Sequence, residues 1–458
     1  MQRYSQKRIT SNIIKGSLGN IIEWFDWYIY ASFAIYFAGS FFPDGDQTVE
    51  LLSAAAIFAV GFLMRPFGSF IMGKYADKRG RRAALTLSVS IMATGSLLIA
   101  LIPTYRTIGV FAPLLLVCIR LVQGLSLGGE YGISATYLSE MATAGRRGYY
   151  ASFQYVTLIS GQLIALIVQI ILQAMLSDAQ LRAFGWRILF AIGAVGAVIV
   201  LYLRLSMDET TQFKTTEKTK AKRGSLRELA KYPNQVLTVI GLTFGGTIAF
   251  YTYTTYMQKY MINSLGLAPK LVTIINFMAL LIFMAAQPLF GHISDKIGRK
   301  PLLYWFGIGG TILTLPIFLG LKSFDSPIAS FLLMLSGLLI VSGYTSINAI
   351  VKAELFPTEI RALGVGFPYG LTVAIFGGSV EYIALWLKHI GHEDWFFYYV
   401  SAAAFVSFLV YARMLETSKH SKLEESSVAV EPEQPQGHTV SAPKDHQQSK
   451  GNFLATVS

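Results

Sequence analysis

The chain has 458 residues, of which 53% are hydrophobic and only 14% are charged, and its mean hydropathy is +0.49. This composition excludes a soluble domain with a polar surface and indicates a protein that crosses a membrane several times. The net charge of +12 does not indicate nucleic-acid binding, because the Lys and Arg residues fall in short loops and tails. The single cysteine, Cys118, excludes a disulfide framework within the chain and a cysteine-based metal site.

Twelve apolar runs are each long enough, at roughly 20 residues, to cross a hydrocarbon core of about 30 Å. The basic start of the chain, residues 1–16, is not followed by a small-residue cleavage site, so we expect the first run to be retained as a helix. The pattern predicts an all-α membrane protein with twelve transmembrane helices. The runs lie near 17–41, 51–73, 83–103, 110–140, 149–175, 186–206, 234–261, 270–294, 301–321, 327–355, 361–387 and 395–414.

A polar, Lys-rich stretch divides the runs into two groups of six. Its composition is typical of a cytoplasmic connector along a membrane surface, and the Lys and Arg residues of the other loops place both termini on the cytoplasmic side. The end of the chain is rich in Glu, Gln, Ser, Pro and Lys, which predicts a disordered tail. We therefore divide the chain into a first half at 1–206, a linker at 207–231, a second half at 232–416 and a tail at 417–458.

The two halves share internal repeats. The loop GKYADKRGRR at 73–82 recurs as GHISDKIGRK at 291–300, each after the second run of its half. A Glu also precedes an Arg by seven residues between the fourth and fifth runs of both halves, as Glu140 with Arg147 and as Glu354 with Arg361. Two repeats at matching places predict two pseudo-symmetric six-helix halves with a substrate site between them, near the middle of the membrane.

The repeated loop resembles the signature of the major facilitator superfamily. The stretches GNIIEWFDWYIY at 19–30, GFLMRPFG at 61–68 and RLVQGLSLGGEYG at 120–132 resemble its metabolite:proton symporter family. Two more stretches, FYTYTTYMQKY at 250–260 and KAELFPTEIRALGVG at 352–366, are similar to the branch that carries 2-oxoglutarate. The resemblance covers about 15 to 414 and implies a major facilitator fold and proton-coupled uptake of a dicarboxylate across a bacterial inner membrane.

Three acids inside the spans are candidates for proton coupling, because ionisable residues at membrane depth are rare and usually functional. The resemblance puts Asp26 within reach of Arg120, and burial and a nearby Arg act in opposite directions on the proton affinity of an acid. The alternative is a static pair that fixes helix packing. Glu23 takes a second proton or holds a gate on the cytoplasmic side. Glu130 is a second protonation site or a structural acid.

Cationic and hydrogen-bonding side chains in the spans are candidates for binding the substrate. Arg65 precedes a proline near mid-membrane and presents a planar fork that matches a carboxylate; helix-to-helix pairing is the alternative. Lys259 supplies the second cation that a dianion needs, or else it extends to the membrane surface. The tyrosines at 253 and 256 bracket the substrate chain or only pack. The predicted substrate-binding residues are Arg65, Arg120, Gln154, Gln162, Tyr253, Tyr256 and Lys259.

Charged residues at the helix ends are candidates for conformational gating, since acid and base pairs there clamp neighbouring helices. We interpret Lys352 as part of such a gating pair with Glu354 rather than as a substrate ligand. The predicted gating residues are Asp77, Arg81, Glu140, Arg147, Asp295, Arg299, Glu354 and Arg361.

No motif of an ATP-driven pump or of a membrane enzyme occurs in the sequence, so we expect neither activity and no cofactor or metal. The expected partners are a small dicarboxylate, protons and the lipid bilayer, without nucleic acid, and the protein is expected to be a monomer. The nearest rival is a symporter of another organic acid, such as citrate, shikimate or an aromatic-pathway dicarboxylate. An osmolyte symporter fits less well, because the tail lacks the heptad pattern of a coiled coil. From another class, a membrane nutrient sensor remains open.

Overall fold

A computed structural model describes most of the chain. It covers residues 6–42, 46–79, 81–141, 145–205, 226–324, 326–357 and 360–419. Inside these ranges, the side chains at 6–18, 73–74, 76–79, 81–82, 85, 130, 132–141, 204 and 362 lie outside the described part. The side chains of four predicted site residues, Asp77, Arg81, Glu130 and Glu140, therefore lie outside it, as do most of the predicted linker and the predicted tail from 420 onward.

Twelve long helical rods form the described part of the chain, and no strand occurs in it. Ten of them are long and apolar enough to cross a membrane. The first half contains α1 (Gln6–Phe41), α2 (Gln47–Leu63 and Arg65–Arg79), α3 (Arg81–Leu101), α4 (Phe111–Met141), α5 (Arg147–Met175) and α6 (Asp178–Gln180, Leu181–Gly185 and Trp186–Leu205). The second half contains α7 (Pro233–Tyr251, Thr252–Tyr256 and Met257–Asn263), α8 (Pro269–Ile297), α9 (Lys300–Ser323), α10 (Pro327–Thr345 and Asn348–Glu354), α11 (Arg361–Thr372, Val373–Gly377 and Gly378–His389) and α12 (Asp394–Arg413). Two short helices, Tyr105–Ile108 and Leu226–Leu229, precede α4 and α7.

The rods match the twelve predicted spans in number and order, and the prediction of an all-α membrane fold is confirmed. Several rods extend beyond the predicted spans, because a helix does not have to end where the apolar run ends. The first rod already begins at Gln6, and the second continues to Arg79. Hydropathy therefore locates each crossing better than it locates the ends of the helices.

Several rods of the candidate site region depart from regular α-helix. In α2 the helix is broken at Met64, shortly before Pro66. The backbone nitrogen of a proline carries no hydrogen and cannot donate to the carbonyl one turn back. A π-helical turn at 252–256 interrupts α7, where the hydroxyls of Thr252 and Thr254 donate to main-chain carbonyls one turn back. A second π turn at 373–377 interrupts α11. Such turns shift the phase of the side chains that follow and are frequent at functional sites.

Small residues let the helices approach closely. On α2 and α4, a Cβ added at Gly128 would lie 2.0 Å from the carbonyl oxygen of Arg65, so only glycine fits there. Between the halves, a Cβ at Gly148 of α5 would lie 2.6 Å from the carbonyl oxygen of Gly291 of α8. Helices in a membrane pack through such small residues, since lipid provides no hydrophobic driving force between them.

The two halves meet at both ends of the molecule. At the end that carries the repeated loops, Asp295 accepts hydrogen bonds from the backbone N–H groups of Gly148 and Tyr149, at 2.7 and 2.9 Å. Toward the opposite end, the side chain of Gln169 donates to Thr273 at 3.2 Å, and nearer the middle Asn276 of α8 donates to the Tyr28 hydroxyl of α1 at 2.6 Å. The contacts at both ends enclose the polar residues between them, which is an occluded arrangement.

Candidate functional site

A buried ion pair joins Asp26 of α1 to Arg120 of α4. The Nη1 of Arg120 lies 2.8 Å from Oδ2 of Asp26, and the two residues are 0% and 1% exposed. The hydroxyl of Ser96 on α3 donates to the other carboxylate oxygen of Asp26. Gln123 accepts a second hydrogen bond from Arg120 at 3.0 Å. The two charged residues are thus in direct contact, as the resemblance implied, and their role in proton coupling stays a prediction.

The surroundings of this pair belong to the first half. The guanidinium carbon of Arg120 lies 4.1 Å from the ring centroid of Tyr30 and 5.7 Å from that of Phe190 on α6. The Nε and Nη2 of Arg120 have no hydrogen-bond partner among the described residues. Asp26 is the only carboxylate that forms an ion pair with Arg120 in the described chain.

Arg65 is a buried cation in an aromatic cage. It is 5% exposed, and its guanidinium carbon lies 3.8 Å from the ring centroid of Phe62, 5.4 Å from that of Trp24 and 5.7 Å from that of Trp27. Within the ranges that the structure describes, its Nε and Nη2 have no hydrogen-bond partner, and no carboxylate forms an ion pair with it. Cation–π contacts compensate only part of the cost of burying a charge.

A cluster of five tyrosines, four of them buried and one partly buried, lies beside Arg65 at the boundary between the halves. Tyr131 of α4 stacks on Tyr369 of α11, with ring centroids 3.8 Å apart. Both Tyr251 and Tyr369 lie within electrostatic range of Arg65. We define the tyrosine cluster as Tyr131, Tyr155, Tyr251, Tyr344 and Tyr369, whose hydroxyls are mutual electrostatic neighbours.

Lys352 of α10 also lies against this cluster. Its Nζ is 3.8 Å from the ring centroid of Tyr369 and 2.8 Å from Oδ1 of Asn348, which also accepts a hydrogen bond from Tyr131 at 3.0 Å. Lys352 is 0% exposed. Glu354, its expected partner, instead lies 3.3 Å from Arg299.

A second buried ion pair, in the other half, joins Lys259 of α7 to Glu381 of α11. Its residues are 1% and 3% exposed. The two tyrosines predicted beside Lys259 lie away from Arg65: Tyr253 donates to Thr314 of α9 at 3.2 Å, and Tyr256 donates to Glu393 at 3.5 Å. The structure therefore does not bring Lys259, Tyr253 and Tyr256 together with Arg65.

The predicted polar residues of α5 and α1 are buried near the same boundary. Gln154 and Gln162 are fully buried, and Oε1 of Gln162 has no hydrogen-bond partner in the described chain. Tyr155 packs edge-on against Phe250 of α7, with ring centroids 5.4 Å apart. Glu23 is buried on α1, one turn from Asp26.

Three of the predicted gating residues, Asp295, Arg299 and Glu354, form a network at the end of the repeated loops. Arg299 lies 2.9 Å from Asp295 and 3.3 Å from Glu354, and these acids raise its pKa above the ordinary value although burial acts in the opposite direction. The hydroxyl of Thr417 donates to Glu354 at 2.6 Å.

The other two predicted gating residues in the described chain lie at the starts of helices. Arg361, the first residue of α11, donates from Nε to the carbonyls of Ala353 and Phe356. Arg147 is the first residue of α5.

A glutamate after α12 holds the loop repeat of the second half. Glu416 accepts hydrogen bonds from the backbone N–H groups of Arg299 and Lys300, both at 2.9 Å. Gly298 adopts a φ of 93°, and a Cβ there would lie 2.8 Å from the Glu416 carboxylate. A glycine is thus required in this loop both by the backbone conformation and by the close carboxylate.

Comparison with known proteins identifies the family. The sequence profile of the Major Facilitator Superfamily matches residues 16–380. The chain belongs to this superfamily. It is 53% identical to the alpha-ketoglutarate permease of Escherichia coli (strain K12), over 87% of this chain and 92% of that protein. It is 34% identical to the citrate-proton symporter of Klebsiella pneumoniae, over 87% of this chain and 90% of the relative.

More distant relatives of this superfamily member include an osmolyte carrier and solved structures. The proline/betaine transporter of Escherichia coli (strain K12) is 31% identical over 90% of this chain and 84% of that protein. The proton:xylose symporter bound to 6-bromo-6-deoxy-D-glucose has a TM-score of 0.74 at 17% identity, covering 93% of this chain and all of that one. The inward-open xylose transporter of E. coli has a TM-score of 0.72 at 18% identity, covering 92% and 99%. These structures support the fold alone.

Family membership confirms the predicted class of protein. The relatives named above are a permease, two symporters and two transporters, and none is an enzyme. The chain is therefore a multi-pass membrane protein of a transporter superfamily, as its composition and repeats indicated.

Sequence reasoning missed three residues that the structure brings into the site or its second ion pair, and it assigned a fourth, Lys352, to gating. The three missed residues are Tyr251, Tyr369 and Glu381. One signal for Lys352 was available, because residues two apart on a helix point in different directions, so Lys352 and Glu354 were poor candidates for a mutual pair. For Tyr251 no such signal existed, since three tyrosines crowd the stretch 250–256 and only packing selects among them.

Proposed function

We propose that this member of the superfamily is a secondary active transporter that couples the entry of protons to the uptake of a dicarboxylate, 2-oxoglutarate in particular. It works as a monomer in the bacterial inner membrane with both termini in the cytoplasm. The supporting comparison is the 53% identity to a 2-oxoglutarate permease over nearly the full length of both proteins. The Lys- and Arg-rich loops support the orientation.

The observation that carries this proposal is the state of Arg65. A guanidinium buried among aromatic rings at the boundary between the halves, without a carboxylate partner in the described chain, is a site prepared for an anionic ligand. Its planar fork pairs with a carboxylate through two parallel hydrogen bonds. A substrate carboxylate on Arg65 neutralises the buried charge and is itself neutralised.

Asp26 carries the coupled proton. When Asp26 is ionised it holds Arg120, and when it is protonated this attraction is lost. Since α1 and α4 both contribute to the boundary with the second half, a change in this pair alters how the halves close around the substrate. Binding of substrate and of proton are thereby linked through the same helices, as coupling requires.

Alternating access then follows from the contacts between the halves. The bonds from Gly148 and Tyr149 to Asp295 close one end, and those around Gln169 and Thr273 close the other. Breaking one set while the other is kept opens the substrate site to one side only, which is the rocking motion expected for two repeats around a central site.

A symporter of another organic acid is the second candidate. The 34% identity to a citrate-proton symporter favours it, because Arg65 suits any carboxylate. A zwitterionic osmolyte also bears a carboxylate, so the arginine alone does not separate these classes.

Uptake into proteoliposomes tests the proposal. Radiolabelled 2-oxoglutarate is offered with and without an inward proton gradient, and succinate, citrate, shikimate and betaine serve as competitors. We expect the labelled 2-oxoglutarate to accumulate only with the gradient, and unlabelled 2-oxoglutarate to inhibit this accumulation more strongly than the other competitors. Preferential inhibition by citrate or shikimate would keep proton coupling and replace the substrate, whereas accumulation without any dependence on the gradient would overturn the proposal. A chain truncated after Lys419 serves as the test for a nutrient sensor, because a transporter keeps its uptake without the tail.

A further inference from the structure

Leaving aside Arg361, whose Nε donates to main-chain carbonyls at the start of α11, two of the buried cations in the described chain lack a carboxylate partner, and they lie on opposite halves. Arg120, Lys259 and Arg299 each form an ion pair. Arg65 of the first half and Lys352 of the second do not, among the residues that the structure describes. Cations that stabilise the fold are paired when they are buried, so the two exceptions call for a ligand.

Lys352 is incompletely coordinated. An ammonium group has three N–H donors, and the structure gives Lys352 one hydrogen bond, to Oδ1 of Asn348 at 2.8 Å. Its other close neighbours are the ring faces of Tyr369 at 3.8 Å, Tyr131 at 5.7 Å and Tyr344 at 5.9 Å. These rings belong to the tyrosine cluster that also faces Arg65. The two unpaired cations therefore both lie beside one cluster of aromatic rings and hydroxyls.

Lys259, the cation that the sequence suggested as the second anchor, is already neutralised. Its ammonium group contacts the carboxylate of Glu381, and both residues are buried. A substrate carboxylate would have to displace Glu381, whereas at Lys352 no carboxylate of the described chain has to be displaced. The second carboxylate of a dianion is therefore attracted more strongly to Lys352 than to Lys259.

We propose that Lys352 binds the second carboxylate of the substrate, opposite the first carboxylate on Arg65, with the hydroxyls of the tyrosine cluster between them. This inference rests on the proposed function and deepens it, because it assigns the selectivity for dicarboxylates to a pair of residues on different halves. A dianion that bridges Arg65 and Lys352 holds the halves together in the occluded arrangement. A monocarboxylate engages one half only.

Paired ligands test the assignment. The binding of 2-oxoglutarate to the purified protein is compared with that of 2-oxopentanoate, which has the same five-carbon keto acid chain with a methyl group in place of the second carboxylate. In Lys352→Met we expect the affinity for 2-oxoglutarate to fall by about tenfold or more, since a charge-assisted contact is lost. The affinity for 2-oxopentanoate should change by less than about threefold, so that the preference for the dicarboxylate disappears.

Three further variants make the result specific. Lys352→Arg keeps the charge and should retain part of the preference, which also covers the case in which Lys352→Met fails to fold. Lys322→Met removes an exposed lysine near α12 and should leave the preference unchanged. The double variant Lys259→Met with Glu381→Gln should also keep the preference, because that pair is neutral as a unit.

The outcomes separate the two proposals. If the wild-type protein binds neither ligand, the proposed function itself fails. If the wild type prefers 2-oxoglutarate and Lys352→Met keeps that preference, or weakens both ligands equally, the assignment of Lys352 is overturned while the proposed function stands. Loss of the preference in the Lys259 and Glu381 double variant alone would likewise overturn it and return the second anchor to Lys259.

Discussion

Asp295 of the second half accepts a hydrogen bond of 2.7 Å from the backbone N–H of Gly148, the second residue of α5 in the first half. A carboxylate in this position satisfies the free N–H groups of a helix N-terminus and interacts favourably with the helix dipole. Arg299 lies 2.9 Å from Asp295 and orients its carboxylate. The signature loop of the second half thus closes one end of the molecule by capping a helix of the other half.

Weakening this cap should open the end that carries the repeated loops. In Asp295→Asn the negative charge at the α5 N-terminus is lost, so the closed population should fall. A cysteine at Ser152, which is fully buried on α5, reports the opening when Cys118→Ser removes the native thiol. We expect maleimide labelling at position 152 to accelerate by roughly threefold or more. Asp178→Asn, an exposed acid at the start of α6, is the control, and equal labelling in both variants would rule out a closing role for Asp295.

Removing the charge of Asp26 should separate transport from proton coupling. Asp26→Asn keeps the shape of the side chain and loses the titratable group, so Arg120 can no longer be held and released by protonation. Accumulation driven by an imposed proton gradient should fall by about tenfold or more, while exchange of labelled for unlabelled 2-oxoglutarate should persist. Asp46→Asn, at the exposed N-cap of α2, is the matched control. Normal accumulation in Asp26→Asn would leave the ion pair with a packing role.

The number and order of the helices could be predicted from sequence because each crossing must be apolar over the thickness of the bilayer. The contact between Asp26 and Arg120 followed from family resemblance rather than from spacing. Neither family resemblance nor spacing predicted which tyrosines lie beside Arg65. The angular positions of residues 251 and 253 around the helix axis differ by about 200°, because a helix turns by 100° per residue. The two side chains therefore point to different faces, and only tertiary packing decides that Tyr251 lies beside Arg65 and that Tyr253 packs inside the second half.

For the charged residues, the sequence could argue against one pair but could not identify the actual partners. Lys352 and Glu354 are close along the chain, yet Glu354 contacts Arg299 and Thr417, and Lys352 contacts Asn348 and Tyr369. Neighbours two apart on a helix face different directions, and the identity of the groups that meet them depends on how the rods pack.

The planar guanidinium geometry of Arg65 should contribute more to substrate binding than its positive charge alone. Arg65→Lys keeps a cation near Phe62 but loses the two parallel N–H donors that match a carboxylate. Equilibrium binding of 2-oxoglutarate should weaken by about tenfold, corresponding to one charge-assisted hydrogen bond. Arg106→Lys changes an exposed arginine on the short helix before α4 and should bind normally. An unchanged affinity in Arg65→Lys would reduce this arginine to a packing element.

The pair of Lys259 and Glu381 should behave as a structural unit. Lys259→Met leaves a buried carboxylate without its counter-ion, which typically costs about 3–5 kcal/mol. Changing both residues, to Met and Gln, removes both charges and should restore most of the lost thermal stability in detergent. A single Lys259→Met variant that is as stable as the wild type but binds 2-oxoglutarate poorly would contradict this interpretation and make Lys259 a substrate ligand.

Glu416 should make the stability of the loop after α8 depend on acid pH. Burial alone would raise the pKa of Glu416, but the backbone N–H groups of Lys300 and Arg299 outweigh it and hold the pKa below its usual value. Because the folded protein then binds this proton less readily than the unfolded chain, the stabilisation is fully present above about pH 4.3, the ordinary pKa of a glutamate, and is lost as the pH falls through the lower folded value. Thermal unfolding of the wild type and of Glu416→Gln should therefore differ at neutral pH, and the difference should disappear as the pH falls through and below the folded pKa of Glu416. A difference between the two proteins that stays constant from neutral to acid pH would show that Glu416 contributes through its shape and not through its charge.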